Sequence, residues 1–471
     1  MRKNFVKSAL CLFVATIMLC MISGCELASE FIPKDLCFHS FGEPEVIKEA
    51  TCNAIGEELY VCKYCGYEEK HFLPTTLHDY DTEYKYNKDG HWISCKNCNS
   101  TKDFTVHSLR QDQESCTVCY YVKSKVKEEM SFHFMMLGND EAGDCVYIKA
   151  GNNDILIDGG SNYDSIDDIE NYIDKYCKDK TLEFVIVTHA DLDHIACFAG
   201  STNGQSLFDK YEVSTIIDFP LSDKTTKAFE RYQSERQSEI DDGNSVHYTA
   251  LECYNNQNGA KRTYDLSENG SLKLEILYNY FYDHSSEDEN NYSVCALFHH
   301  GDRQFLFTGD LEKEGEEKLA EKYNFSQVEL FKAGHHGSPT SSNEVLLKEI
   351  KPKICVACCC AGSVQYTDYL PSTFPSRPFY ERISVYTDKI YVPMTVNLVV
   401  NSEKPTVEYK GQIITNYNRG DKLEPLHGNI VVISEAGKEV FVECSNEQKV
   451  LKDTDWFKNM SVLWEQSPKF D

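Results

Sequence analysis

Four side chains able to hold a metal ion fall within six residues: His189, Asp191, Asp193 and His194, in the pattern His-x-Asp-x-Asp-His. Directly before them runs Phe184-Val185-Ile186-Val187. These residues, all β-branched or aromatic, read as a strand buried on both faces. A buried strand that stops in a tight turn can aim four side chains at one point. Mixed imidazole and carboxylate ligands suit a catalytic zinc or manganese centre better than a closed structural one. The competing reading, a polar turn whose charges face water, leaves the density of ligand-type residues unexplained.

The elements that must position this turn alternate strand and helix. Residues 131–137, 143–148 and 154–160 read as strands, the last ending in the turn Asp158-Gly159-Gly160. Ile166, Ile169, Ile173 and Cys177 follow helical spacing. A second helix is expected over residues 225–240, and Leu272, Leu274, Ile276 and Tyr278 alternate as a half-buried strand would. Residues 294–298 and 304–307 flank a Gly301-Asp302 turn as a hairpin, its second arm ending at Thr308-Gly309-Asp310. A helix over 312–323 and a strand to Phe331 lead into Gly334-His335-His336-Gly337-Ser338. Residues 354–360 read as one apolar strand whose Cys358, Cys359 and Cys360 are core thiols rather than ligands. Residues 429–433 and 439–443 form an expected terminal hairpin.

Four signatures stand in one order, each after an expected strand: Leu156-Ile157-Asp158-Gly159-Gly160, Thr188-His189-Ala190-Asp191-Leu192-Asp193-His194, Thr308-Gly309-Asp310 and His335-His336-Gly337-Ser338. Together, over residues 131–443, they resemble the metallo-β-lactamase superfamily, and within it the hydrolase domain of ComEC-type competence DNA-uptake proteins. The resemblance implies an α/β hydrolase domain over residues 131–471, a four-layer αβ/βα sandwich with metals at one edge between two sheets. By the family pattern His189 and Asp191 hold a first metal, Asp193 and His194 a second, and Asp310 bridges them. One of His335 and His336 completes the second site. Asp191 stands where many members carry histidine, and no motif supplies a third histidine for the first site. His247, His284, His299 and His300 lie in the right interval but read as surface residues. A histidine that this branch often carries before proline has its counterpart at Arg377-Pro378. One or two ions, zinc or manganese, would activate water and clamp a phosphoester. Asp193 orients the hydroxide and Asp310 fixes the pair, so these two are the expected catalytic residues. The hydroxyl of Ser338 is a candidate for binding a phosphate oxygen.

Residues 25–120 read as a separate cysteine- and histidine-rich module. The chain has 21 cysteines, and only those between Cys37 and Cys119 show regular spacing. Cys62/Cys65, Cys95/Cys98 and Cys116/Cys119 are Cys-x-x-Cys pairs, and His39, His78 and His107 keep step with them. The stretches around Cys52 to Tyr67 and His91 to Cys98 resemble the small zinc-ribbon-type repeats of bacterial surface proteins. Two structural zinc quartets are expected, Cys52, Cys62 and Cys65 with His39 or His78, and His91, Cys95 and Cys98 with His107. The pair Cys116/Cys119 has Cys37 as candidate partner. A disulfide framework is the alternative in an exported protein, though it has no use for the histidines.

The first 24 residues open with Arg2, Lys3 and Lys7 ahead of an apolar run, as a secretory signal does. The junction Ile22-Ser23-Gly24-Cys25 resembles the lipobox of bacterial lipoproteins. The expected mature protein is exported and tethered by lipid at Cys25 to the outer face of the membrane. Residues 121–130 read as a charged linker. Formal charge is −28, and removal of three basic residues and no acids with the signal leaves about −31. That field disfavours a broad duplex-binding surface. The expected function is a surface metal-dependent phosphodiesterase or nuclease. The alternatives are a phosphoesterase of cell-wall or teichoic-acid decorations and a non-catalytic surface binding protein with a degenerate metal site.

Overall fold

A computed structural model of the chain describes residues 37–86, 90–108, 116–119, 129–202, 204–243, 245–409 and 411–467. The expected signal, Cys25 and residues 121–128 of the linker lie outside these. The chain divides at residues 125–126 into two compact units. Among the described residues no helix is long and apolar enough to cross a membrane.

The first unit contains two small antiparallel sheets, one of Glu45–Lys48, Gly56–Val61 and Glu68–Leu73, the other of Lys85–Tyr86, His91–Ser94 and Thr101–Thr105. Large apolar side chains such as Phe72 and Phe104 are exposed, whereas Cys52, Cys62, Cys95 and Cys116 are buried. A unit with so little buried hydrocarbon cannot rest on the hydrophobic effect alone. Among the described residues none of its cysteines is joined in a disulfide. The expected quartets are regrouped. Cys62 and Cys65 lie with Cys37 and His39, Cys95 and Cys98 with Cys52 and His78, and Cys116 and Cys119 with His91 and His107. Sequence proximity pairs Cys52 and His91 with the knuckles that follow them, but the strands carry both residues to the next one along.

The second unit is built on two sheets. Its strands are β1 (Glu129–Phe134), β2 (Val146–Ala150), β3 (Asn153–Ile157), β4 (Thr181–Ile186), β5 (Glu212–Asp218), β6 (Val246–Thr249), β7 (Thr263–Asp265), β8 (Leu272–Leu277), β9 (Cys295–His300), β10 (Arg303–Phe307), β11 (Leu330–Lys332), β12 (Ile354–Val356), β13 (Ile390–Tyr391), β14 (Ile430–Glu435) and β15 (Phe441–Cys444). The first sheet has the order β6-β5-β4-β3-β2-β1-β14-β15 and the second β7-β8-β9-β10-β11-β12-β13. Strands β3 to β6 run parallel, as do β10 to β13, and in each case helices make the crossovers. Strand β4 is the expected double-buried strand, with Val185, Ile186 and Val187 fully enclosed.

The sheets face each other through aromatic rings. Phe132 of β1 packs at 4.6 to 5.7 Å between centroids against Phe298, Phe305 and Phe307 of the opposite sheet. Truncating such a ring to alanine costs about 3–5 kcal/mol. Alternate residues of the second sheet, Leu297, Leu306, Phe331 and Cys355, point the other way, into a layer with Leu319, Leu347, Phe379 and Phe457 from helices. The architecture is a layered α/β sandwich of two facing sheets with helices packed outside, the class that the resemblance implies.

One strand departs from expectation. Residues 354–360 do not continue as one strand: β12 stops at Val356 and a second short strand, Cys360–Ala361, joins a different sheet. The break turns the Cys358 carbonyl toward His336, 3.1 Å from its Nδ1.

Candidate metal centre

The signature turns meet at the ends of β3, β4, β10 and β11. After β4 the chain passes His189 and reaches Asp191, the N-cap of a helix spanning Leu192–Ala199. Asp193 and His194 therefore sit in that helix's first turn. Gly309, with φ +55°, shapes the turn after β10: a Cβ there would stand 2.7 Å from Ser293 Oγ and 2.9 Å from Thr188 Cβ. His335 and His336 themselves adopt left-handed backbone, at φ +47° and +54°. Such residues cost of order 1–3 kcal/mol each and persist only where neighbours fix them. Here Ser342 Oγ accepts from Gly334 N at 3.0 Å, and the buried Glu316 carboxylate accepts from the backbone N–H groups of Ser342 and Asn343 at 2.6 and 2.8 Å. Burial pushes the Glu316 carboxyl up to about 7.

At the centre, His194 Nε2 and His336 Nε2 stand 3.3 Å apart. They lie 3.1 and 3.0 Å from Asp310 Oδ2, and Asp193 Oδ2 is 3.3 Å from His336 Nε2. His194, Asp310 and His336 are all enclosed. For a tetrahedral ion with metal–nitrogen bonds of about 2.05 Å, the edge between two nitrogens is about 3.3 Å. The donor set and its spacing fit a divalent cation.

The far side of each ring is also fixed. Asp158 Oδ2 accepts from His194 Nδ1 at 2.8 Å and from the Thr188 hydroxyl at 2.8 Å, while Asp158 Oδ1 accepts from Thr188 N at 2.7 Å. This is the carboxylate–histidine arrangement that leaves Nε2 bare for a metal. Thr188 Oγ1 is also 3.1 Å from His189 Nδ1. Its own hydrogen goes to Asp158, so His189 donates from Nδ1 and presents a bare Nε2. That buried Nε2 has no hydrogen-bond partner. It is an orphan that a metal at the first site would satisfy.

Two residues of the centre carry no family signature and belong to none of the expected ligand sets. Asp144, at the head of β2, is 3.1 Å from His336 Nδ1 through Oδ1. Lys332, the last residue of β11, is fully buried; its ammonium pairs with Asp144, lies 3.1 Å from Asp310 Oδ1 and donates to the Gly309 carbonyl at 3.0 Å. Burial alone would lower the lysine's pKa, but Asp144 and Asp310 hold it well above the ordinary value. Burial would likewise raise the Asp310 carboxyl, yet His194, His336 and Lys332 keep it far below. Each residue left a trace in the sequence. An acid heads an otherwise apolar strand, and a lysine closes the run before Gly-His-His, so each needed a buried partner.

His335 sits at the rim: its Nδ1 is 2.9 Å from Glu312 Oε1 and its Nε2 is 4.0 Å from Asp310 Oδ2. The first site is sparse. His189 Nε2 is 3.6 Å from Asp191 Oδ2, and among the described residues no third ligand-type side chain completes a cluster with them. Instead Asp191 is ion-paired with Lys224, from the loop after β5. Burial would raise the Asp191 carboxyl, but His189 and Lys224 hold it at about 2. Asp193 takes a 2.7 Å hydrogen bond from the Tyr366 hydroxyl.

Other expected residues are engaged elsewhere. His247 bonds Asp218, His299 bonds Glu275 and His284 stacks on Tyr280. His300 is not a surface residue: it is buried against the Ser434 hydroxyl at 2.8 Å. Arg377 pairs with Glu381 and Glu465, and it is Phe374 whose ring lies 5.7 and 6.2 Å from those of His335 and His336. The Ser338 hydroxyl, expected to meet substrate, is buried and joined to Thr340 at 2.8 Å.

Residues 138–202 match the model of the metallo-beta-lactamase superfamily. The chain is 27% identical over 180 residues to ComE operon protein 3 of Bacillus subtilis, covering 38% of this chain and 20% of that one. It is 42% identical over 73 residues to competence protein ComA of Neisseria gonorrhoeae, covering 15% and 10%. The chain spans about a fifth or less of the length of these relatives. Among solved structures it is similar to the metallo-beta-lactamase fold protein YhfI of Bacillus subtilis, at 11% identity and TM-score 0.35 over 56% of this chain and 96% of that one. Residues 138–202 are thus similar to the metallo-beta-lactamase superfamily, and the chain is similar in part to competence proteins.

Proposed function

We propose that this chain is a metal-dependent phosphodiesterase, exported and held at the outer face of the bacterial membrane by lipid on Cys25. The observation that carries the hydrolytic reading is the meeting of His194 Nε2, His336 Nε2 and Asp310 Oδ2 within 3.0 to 3.3 Å of one another, with Asp193 Oδ2 3.3 Å from His336 Nε2. A bound divalent ion supplies Lewis acidity there, lowering the pKa of water and polarising a phosphoryl oxygen. Asp310 and the two imidazoles would hold it, with Asp158 and the Cys358 carbonyl fixing the ring orientations. Asp193, oriented by Tyr366, accepts the proton of the attacking water. His335, on the rim and bonded to Glu312, is placed to hand a proton to the leaving oxygen. Lys224 supplies a cation beside the first-site pair, where an anionic substrate oxygen would enter.

Two substrate classes follow from different observations. The likeness to competence proteins favours single-stranded nucleic acid, which needs only a local cationic entry. The charge of −28 favours a small or flexible phosphodiester, such as those of cell-wall polymers, over duplex DNA. The test is release of nitrophenol from bis(4-nitrophenyl) phosphate with added zinc or manganese, alongside single-stranded DNA and a chromogenic β-lactam. Metal-dependent cleavage of the phosphodiester is expected, with the β-lactam untouched. Inertness toward every phosphodiester at all metal concentrations would leave the non-catalytic binding role.

A further inference from the structure

We propose that residues 37–119 bind three zinc ions in an interlocked series, in which the second and third centres each take one ligand from inside the repeat before. One set of contacts recurs three times. The second cysteine of each knuckle meets a histidine Nδ1: Cys65 and His39 at 3.3 Å, Cys98 and His78 at 3.4 Å, Cys119 and His107 at 3.4 Å. The first cysteine of each meets a fourth ligand at one distance: Cys62 with Cys37, Cys95 with Cys52 and Cys116 with His91 Nδ1, all at 3.8 Å. The backbone repeats as well. The residue after the first cysteine donates to the residue after the histidine, Lys63 to Ser40 at 3.0 Å, Lys96 to Asp79 at 2.8 Å and Thr117 to Ser108 at 3.3 Å.

These distances decide between metal and disulfide. A zinc–sulfur bond of about 2.3 Å and a zinc–nitrogen bond of about 2.05 Å give tetrahedral edges of about 3.8 Å between sulfurs and about 3.6 Å from sulfur to nitrogen. The contacts match those edges, whereas a disulfide needs its sulfurs at about 2.05 Å. Backbone N–H groups of Asn97 and Ser100 approach the sulfurs of Cys95 and Cys98 at 3.5 and 3.4 Å, as in a knuckle that stabilises thiolate. Two Cys3His sets and one Cys2His2 set, closed and tetrahedral, select zinc.

The interlocking follows from chain order. Cys52 lies between His39 and Cys62, inside the loop that closes the first centre, yet it belongs to the second. His91 lies between His78 and Cys95, inside the loop of the second, yet it belongs to the third. A bond from Thr76 N to the Thr51 carbonyl, 3.1 Å, ties the segment leading to His78 beside Cys52. The second centre thus draws its ligands from both sides of the hairpin of Gly56–Val61 and Glu68–Leu73, Cys52 before it and His78 after it.

The test uses the full chain loaded with cobalt, whose thiolate charge-transfer absorption counts only centres with cysteine ligands; the hydrolase centre has none. Site-resolved alkylation then maps which thiols the metal protects. Three cobalt–thiolate equivalents are expected, falling to two in Cys52→Ala. That variant should expose Cys95 and Cys98 and leave Cys62 and Cys65, its nearer neighbours in sequence, protected. Exposure of Cys62 and Cys65 instead would overturn the series, as would an intact mass showing disulfides. If Cys52→Ala releases all seven remaining thiols, His91→Ala decides. Release of Cys116 and Cys119 with Cys95 and Cys98 retained upholds the series, and release of Cys95 and Cys98 overturns it.

Discussion

Replacing Asp158 with asparagine removes no ligand, yet it should weaken the metal centre. The side chain is fully buried and accepts three hydrogen bonds: from Thr188 N on Oδ1, and from the Thr188 hydroxyl and His194 Nδ1 on Oδ2. An amide has one oxygen. If it serves the Thr188 backbone, the new NH2 faces His194 Nδ1, which must then accept. The ring proton moves to Nε2, the atom that faces Asp310 and His336. If the amide is turned over, its NH2 meets the Thr188 N–H and leaves a buried donor unpaired, at about 1–3 kcal/mol. Either arrangement loses the orienting carboxylate, which costs about 10- to 100-fold in metal affinity, or about 1.4–2.7 kcal/mol. Competition titration against a chromophoric chelator measures this directly. Nitrogen-15 shifts of His194 would report the tautomer without reference to activity. Wild-type affinity with an unchanged Nδ1-protonated His194 would defeat the argument, because the carboxylate would then be doing nothing the amide cannot.

Asp310→Ala should be the most damaging single change, stripping metal from the hydrolase centre and leaving Lys332 with Asp144 as its one carboxylate partner; a broken buried pair costs about 3–5 kcal/mol. Metal analysis and thermal unfolding check it, and full activity at ordinary metal levels would rule the mechanism out. Lys224→Ala should free Asp191 and tighten the first-site ion by about tenfold, since one screened unit charge is removed from contact, while the phosphodiester KM rises. Unchanged metal stoichiometry and KM would exclude that role for Lys224. His133 is buried between Tyr172 and Ser131, and desolvation lowers it to about 4. Its unfolded form titrates near 6.5, so its contribution is complete above that pH and is lost as pH falls toward 4, by about 3 kcal/mol in all. Denaturant midpoints measured from pH 7 to 4 should fall less steeply in His133→Gln than in the parent.

Strand and turn chemistry made the core of the site legible, because the signatures sit within a few residues of a buried strand end. Local pattern has less to say about partners brought in from elsewhere. Asp144 and Lys332 lie 188 positions apart in the numbering and meet only because β2 and β11 end at the same edge of the sandwich. The choice between His335 and His336 turns on a left-handed backbone that no propensity predicts for histidine. Residues 354–360 were uniformly apolar, so nothing in them marked the point where β12 ends and the Cys358 carbonyl turns inward. In the first unit, spacing picked out cysteines and histidines that cluster but grouped them by proximity, since strand pairing sends Cys52 and His91 forward. The small sheets formed by residues 394–425 left no comparable periodic signal.

On the proposed function, the buried Lys332 also sets the charge balance into which a phosphodiester would bind. Asp144, Asp158, Asp193 and Asp310 contribute four negative charges to the enclosed centre and Lys332 one positive, with Asp191 and Lys224 cancelling beside them. With neutral imidazoles, one divalent ion leaves that centre at a net charge of about −1 and two bring it to about +1. A phosphodiester monoanion is repelled by the first state and attracted by the second. Substrate and second ion should therefore bind with positive coupling, each raising the affinity of the other by the same factor. Were the lysine neutral, even the two-ion state would carry no net charge, and that coupling would largely vanish.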